Sequence, residues 1–120
     1  MADREDAHRE ACLVKLSAIY TLMVHACAAL PVPITLPTED LHHGTVIPAV
    51  RRTLAILTDV PVGEDTKAYL GSGCIAFLAA SDLYGLLMVE YDPARVAAID
   101  GLLMQAEDSL ALAYRLLTED

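Results

Sequence analysis

Tryptophan is absent from this 120-residue chain and phenylalanine occurs once, so Tyr20, Tyr69, Tyr84, Tyr91 and Tyr114 supply nearly all of its aromatic surface. Cations are scarce too: eight Lys and Arg face 17 Asp and Glu, a net charge of −9. That scarcity argues against binding to nucleic acid or to an anionic membrane, because phosphates require a cationic surface. The three cysteines, Cys12, Cys27 and Cys74, are widely spaced and form no Cys-x-x-Cys pair. A disulfide framework and a thiolate zinc site are thereby disfavoured, and reduced core thiols in a cytoplasmic protein are expected. There is no Gly-x-Ser-x-Gly elbow, and Gly71-Ser72-Gly73 lacks the lysine and the glycine spacing of a phosphate loop. Hairpin signals, internal repeats and a domain boundary are also missing, which leaves one helical domain spanning residues 1–120.

Two apolar runs invite a membrane reading. Residues 13–30 follow a start in which Asp3, Glu5, Asp6 and Glu10 outnumber Arg4 and Arg9, whereas a secretory leader is positive. Residues 74–89 carry one charge, Asp82, and the run falls short of the roughly 20 residues that a bilayer span needs. Both runs are expected to be helices buried in protein, with no membrane partner.

What is present in excess is apolar character. Hydrophobic residues make up 55% of the chain and the mean hydropathy is +0.43, more than a sphere this small hides easily. Burial against a second copy or a partner is the expected outlet. The acidity is uneven: residues 61–120 hold ten acids and three bases, residues 1–60 seven and five.

Periodicity gives four helices. Leu13, Leu16, Tyr20, Met23, Cys27 and Leu30 form one stripe of a first helix over 3–30, stopped by Pro31. Pro33 and Pro37 stiffen the connector. Thr38 is the expected cap of a short turn near 39–43, and Thr45 of a helix over 46–58 that keeps Pro48 in its first turn. Ile47, Val50, Leu54 and Leu57 are its core stripe. The third segment reads as a turn or two at 64–70, an interruption at Gly71-Ser72-Gly73, and a long helix over 73–91. Asp92 and Pro93 cap a fourth helix over 93–118, whose Val96, Ile99, Leu103, Ala106, Leu110, Ala113 and Leu117 alternate by three and four. The fold class is all-α, an antiparallel four-helix bundle with a shorter, Pro/Gly-interrupted second helix.

Four constellations could carry chemistry. Glu39, Asp40, His42 and His43 bear ligand-capable groups, and Glu39 and His42 have the i, i+3 relation of bundle metal sites. No second copy of that pair exists, so the cluster reads first as a capped helix start and no metal or other cofactor is expected. Asp82, in the middle of an apolar helix, needs a basic partner, a tyrosine hydroxyl or water. Tyr84, Tyr91, Glu90 and Asp92 lie near it in sequence, and a tyrosine and acid surface suits a basic protein. His25 continues a polar face with Ser17 and Thr21 and has no catalytic partner beside it.

The leading expectation is a non-enzymatic, acidic protein-interaction module that meets a basic partner, a second copy of itself, or both. By analogy alone, small immunity proteins, antitoxins and secretion chaperones share that physics. The alternatives are a homo-oligomeric bundle that takes a small apolar ligand between helices, and a metal-dependent enzyme built on residues 39–43.

Overall fold

The computed structural model describes residues 2–119. Four helices follow one another: α1 Ala2–Ala28, α2 His43–Ile56, α3 Glu64–Val89 and α4 Pro93–Thr118, with one 3-10 turn, Leu57–Asp59, closing α2. There is no strand among the described residues. Together the helices form the expected antiparallel bundle, 50 × 25 × 19 Å, with α2 the short member.

The central helix is α3. It packs most extensively on α4, and α1 lies against both. α2 rests on α3 and on the 3-10 turn that follows it, and makes no comparable contact with α1 or α4. The α4 stripe holds as expected: Ile99, Leu103, Ala106, Leu110 and Ala113 are buried, and Val96 and Leu117 pack at its ends. On α1, Leu16, Tyr20, Met23 and Cys27 are buried, as is Leu30 just past its end, but Leu13 is 48% exposed.

Two boundaries differ here from expectation, each for a local reason. α1 ends at Ala28 rather than Leu30, because Pro31 disfavours helical backbone at the residue before it. α2 begins at His43, three residues early. Its N-cap is His42, whose Nδ1 accepts the Gly44 N–H at 3.1 Å while Thr45 Oγ1 accepts the His42 N–H at 3.2 Å. This is a reciprocal capping box with histidine in the place of serine. Pro48 consequently sits inside the helix, not in its first turn; the carbonyl it leaves without a helical donor belongs to exposed Gly44, where water reaches it. Thr38 caps nothing; residues 39–40 bend, with Asp40 at φ 55°.

The largest difference is in α3, which runs unbroken through Gly71-Ser72-Gly73 and stops at Val89. A Cβ at Gly73 would stand 2.5 Å from Leu110 Cγ, so this glycine permits the close approach of α4. The helical penalty of glycine is offset by packing across the pair. An unbroken α3 also removes the length argument against a membrane span: α1 over Asp3–Ala28 and α3 over Glu64–Val89 are both long and apolar enough to cross a bilayer.

Two buried hydroxyls are satisfied by their own helices. Thr53 Oγ1 donates to the Ala49 carbonyl at 3.0 Å and Ser81 Oγ to the Phe77 carbonyl at 2.9 Å.

Gly73→Ala is expected to destabilise the fold by about 1–3 kcal/mol through overpacking on Leu110, despite its better helix propensity. Gly101→Ala, in open space on α4, is expected to stabilise it by roughly 0.5–1 kcal/mol. Urea unfolding of both variants checks the pair; a neutral or stabilising Gly73→Ala would contradict the close approach.

Candidate functional site

Because α2 leans on α3 without closing on α1, a cleft remains between the three helices. It measures about 190 Å³. Leu13, Leu16, Ser17 and Tyr20 form the α1 wall, and Phe77, Ser81 and Tyr84 the α3 wall. Leu41, His42 and His43 close one end at the start of α2, with Val46 and Ile47 below them. The connector between α1 and α2 is pinned beside it: the Tyr20 hydroxyl donates to the Pro37 carbonyl at 2.7 Å, and the Ile34 N–H to the Cys27 carbonyl at 3.1 Å. Leu13 leaves the buried α1 stripe because it faces this space, and Leu41 is half exposed for the same reason.

The polar groups here are few. His42 Nδ1 is occupied as an acceptor in the helix cap, which places the ring proton on Nε2. The hydroxyls of Ser17 and Tyr84 form no side-chain hydrogen bond within the described residues. Burial raises the Tyr84 hydroxyl above the ordinary tyrosine range, so it stays protonated and can donate.

The five residues expected to form a partner surface lie in three places. Asp82 is exposed on the outer face of α3 and has no ion-pair partner among the described residues. Tyr84, two residues on and therefore about 200° around the helix, lines the cleft on the opposite side. Glu90, Tyr91 and Asp92 make the turn between α3 and α4. There Asp92 Oδ1 accepts the Ala94 N–H at 2.9 Å as the N-cap of α4. Glu90 lies 3.8 Å from Arg95 Nη1. The Tyr91 hydroxyl is 2.6 Å from His8 Nδ1, and the Arg9 guanidinium stands 5.7 Å from the Tyr91 ring centroid. Arg9 Nε also donates to the Leu87 carbonyl at 3.0 Å, so this corner ties α1 to the end of α3. Arg51 and Arg52 are exposed on α2 and form no ion pair with Asp82.

Glu39, Asp40, His42 and His43 do not converge: among the described residues no group of three or more His, Cys, Asp or Glu side chains is placed to hold a metal. His42 is a helix cap whose ring also borders the cleft.

The thiols are poor nucleophiles. All three are buried and free. Burial pushes Cys27 up to about 11 and Cys74 up to about 12, and raises Cys12 as well. Cys74 Sγ sits 3.8 Å from Met23 Sδ in the core.

Phe77, Ser17 and Leu41 were not read from the sequence as site residues. Phe77 and Ser17 belong to ordinary helical stripes, and only Leu41, the one apolar residue between Thr38 and Thr45, carries a signal that marks it.

Comparison of the chain with protein-family models, with curated proteins and with solved structures finds no match.

If His42 acts as a cap, His42→Ala should cost about 1 kcal/mol while His42→Asn costs little. Chemical denaturation measures both, and equal losses would point to a different role for the ring. The thiols supply a second test. A thiol whose folded value is raised contributes stability that is complete below about 9, its value in the unfolded chain, and is lost as pH climbs toward 11–12. Wild-type stability should therefore fall between pH 9 and 11 more steeply than that of a Cys27→Ala, Cys74→Ala double variant. An aromatic disulfide reagent at pH 8 should titrate none of the three thiols until denaturant is added.

Proposed function

We propose that the chain is a non-enzymatic interaction module that presents the outer face of α3 to a basic protein. The observation that supports this most is a stripe of α3 that no other helix covers. At 100° per residue, Ile75, Asp82, Leu86 and Val89 fall within about 40° of one line, with Ala68 and Ala79 beside them. Ile75 is 60% exposed and Val89 86%, and Leu86 is half exposed. Only 39% of the most apolar window of α3 is buried by the fold. A shallow groove between α3 and α4, lined by Lys67, Gly71, Ile75, Ala76 and Leu102, continues the stripe toward the helix start, and the Lys67 ammonium is engaged by the Thr58 carbonyl and Glu64. Contiguous exposed apolar side chains of this kind mark interaction surfaces.

Charge selects the partner. Asp82 sits unpaired amid the stripe, and the whole chain carries −9. Two copies paired face to face would bring two Asp82 carboxylates and two acidic bodies together. A basic partner meets attraction at long range and a cation for Asp82 at contact. The inhibitor-like or antitoxin-like role belongs to this reading as its biological form.

The test uses a basic amphipathic Leu/Lys helical peptide, followed by fluorescence anisotropy across a salt series. Binding should weaken as salt rises, and Asp82→Asn and Val89→Lys should each weaken it about threefold or more. Indifference to both variants, a concentration-independent dimer by light scattering, or stronger partition onto zwitterionic lipid vesicles would overturn the reading.

A further inference from the structure

The cleft on the opposite side of α3 has features that the partner surface does not explain. Leu13 belongs by spacing to a stripe whose other five members are buried, yet it stands 48% exposed against this space. Leu41 faces it too, and is 51% exposed in a connector that is otherwise polar between Thr38 and Thr45. Phe77 supplies an aromatic wall, and the hydroxyls of Ser17 and Tyr84 border it without a side-chain partner among the described residues. The space is therefore apolar on most sides, with hydrogen-bonding groups at a few points, which is the make-up of a small-molecule site.

We propose that this cleft binds a small neutral aromatic molecule, one ring or two fused rings with a hydrogen-bonding edge. Size sets the upper limit. An apolar cavity of roughly 150 Å³ takes up benzene, and the cleft offers about 190 Å³. Charge sets the rest. No carboxylate, lysine or arginine borders the cleft, so an ionised ligand would enter without a fixed counter-charge. Two histidines, His42 and His43, border the cleft at the start of α2; His42 has its Nδ1 engaged in the helix cap and leaves Nε2–H as a donor, and both rings are exposed. A flat ring seated against Phe77 would cover Leu13 and Leu41, completing the α1 stripe that the protein alone leaves open. The site is independent of the outer face of α3, so either can fail without the other.

Indole is the probe, because the chain has no tryptophan and the fluorescence of the ligand reports its own binding. Titration should saturate at one site per chain, and indole should raise the melting temperature by mass action. Ser17→Phe places a ring at the exposed mouth of the cleft and should lower affinity at least about tenfold without loss of stability. Tyr84→Phe should lower it by a smaller factor, and Asp82→Asn, on the far face, should leave it unchanged. Absence of saturation up to the solubility limit of indole overturns the proposal. So does a folded Ser17→Phe protein that binds as tightly as wild type, or amide shifts confined to Ile75, Asp82, Leu86 and Val89 on the outer face.

Discussion

The contact between Gly73 and Leu110 determines how the bundle is arranged. A Cβ at position 73 would lie 2.5 Å from Leu110 Cγ, so α3 and α4 reach their separation only because that side chain is missing. Ala76 and Ala80 on α3, and Ala106 and Ala113 on α4, keep the two helices close along their length. A tight antiparallel pair results, joined by the three-residue turn at Glu90, Tyr91 and Asp92. α1 then packs across both members, with Met23 and Cys27 buried against Cys74. The corner is held where His8 and Arg9 meet Tyr91 and the end of α3. What remains for α2 is one flank of α3, where its 14 residues pack on α3 and not on α1. The cleft is the geometric remainder of a close α3–α4 pair.

Some of this was legible in the sequence and some was not. The α4 stripe and the Asp92–Pro93 boundary were, because their signals are local: a three-four alternation and a cap. Glycines 71 and 73 misled, because helix propensity speaks only about the isolated chain. What Gly73 does depends on Leu110, 37 residues later, and no local pattern contains that pairing. The cluster at 39–43 reads first as a capped helix start, but the sequence does not reveal that the cap is His42 itself. A histidine beside Glu39 looks like a ligand, while its actual use is a capping box with Thr45, in which histidine is an uncommon acceptor. Leu13 was assigned to the core on correct periodicity; its exposure arises from a gap between two helices whose mutual distance the periodicity does not encode.

The partner residues show the same division. Tyr84 and Asp82 are neighbours in sequence and lie on opposite sides of α3 in space. Glu90 and Asp92 are largely engaged locally, one near Arg95 and the other capping α4. Of the charged members of that group, Asp82 alone stands without an ion pair or a capping role among the described residues.

An apolar helix at the centre of a small bundle has more hydrophobic surface than three neighbours of this size can cover. In α3 the surplus falls on two opposite lines, one bordering the cleft and one facing outward. The two lines differ in shape and in charge. The inner one is concave, bordered by hydroxyls and free of acids, and so suits a compact neutral molecule. The outer one is convex, broken by a carboxylate and set in an acidic protein, and so suits a large cationic surface.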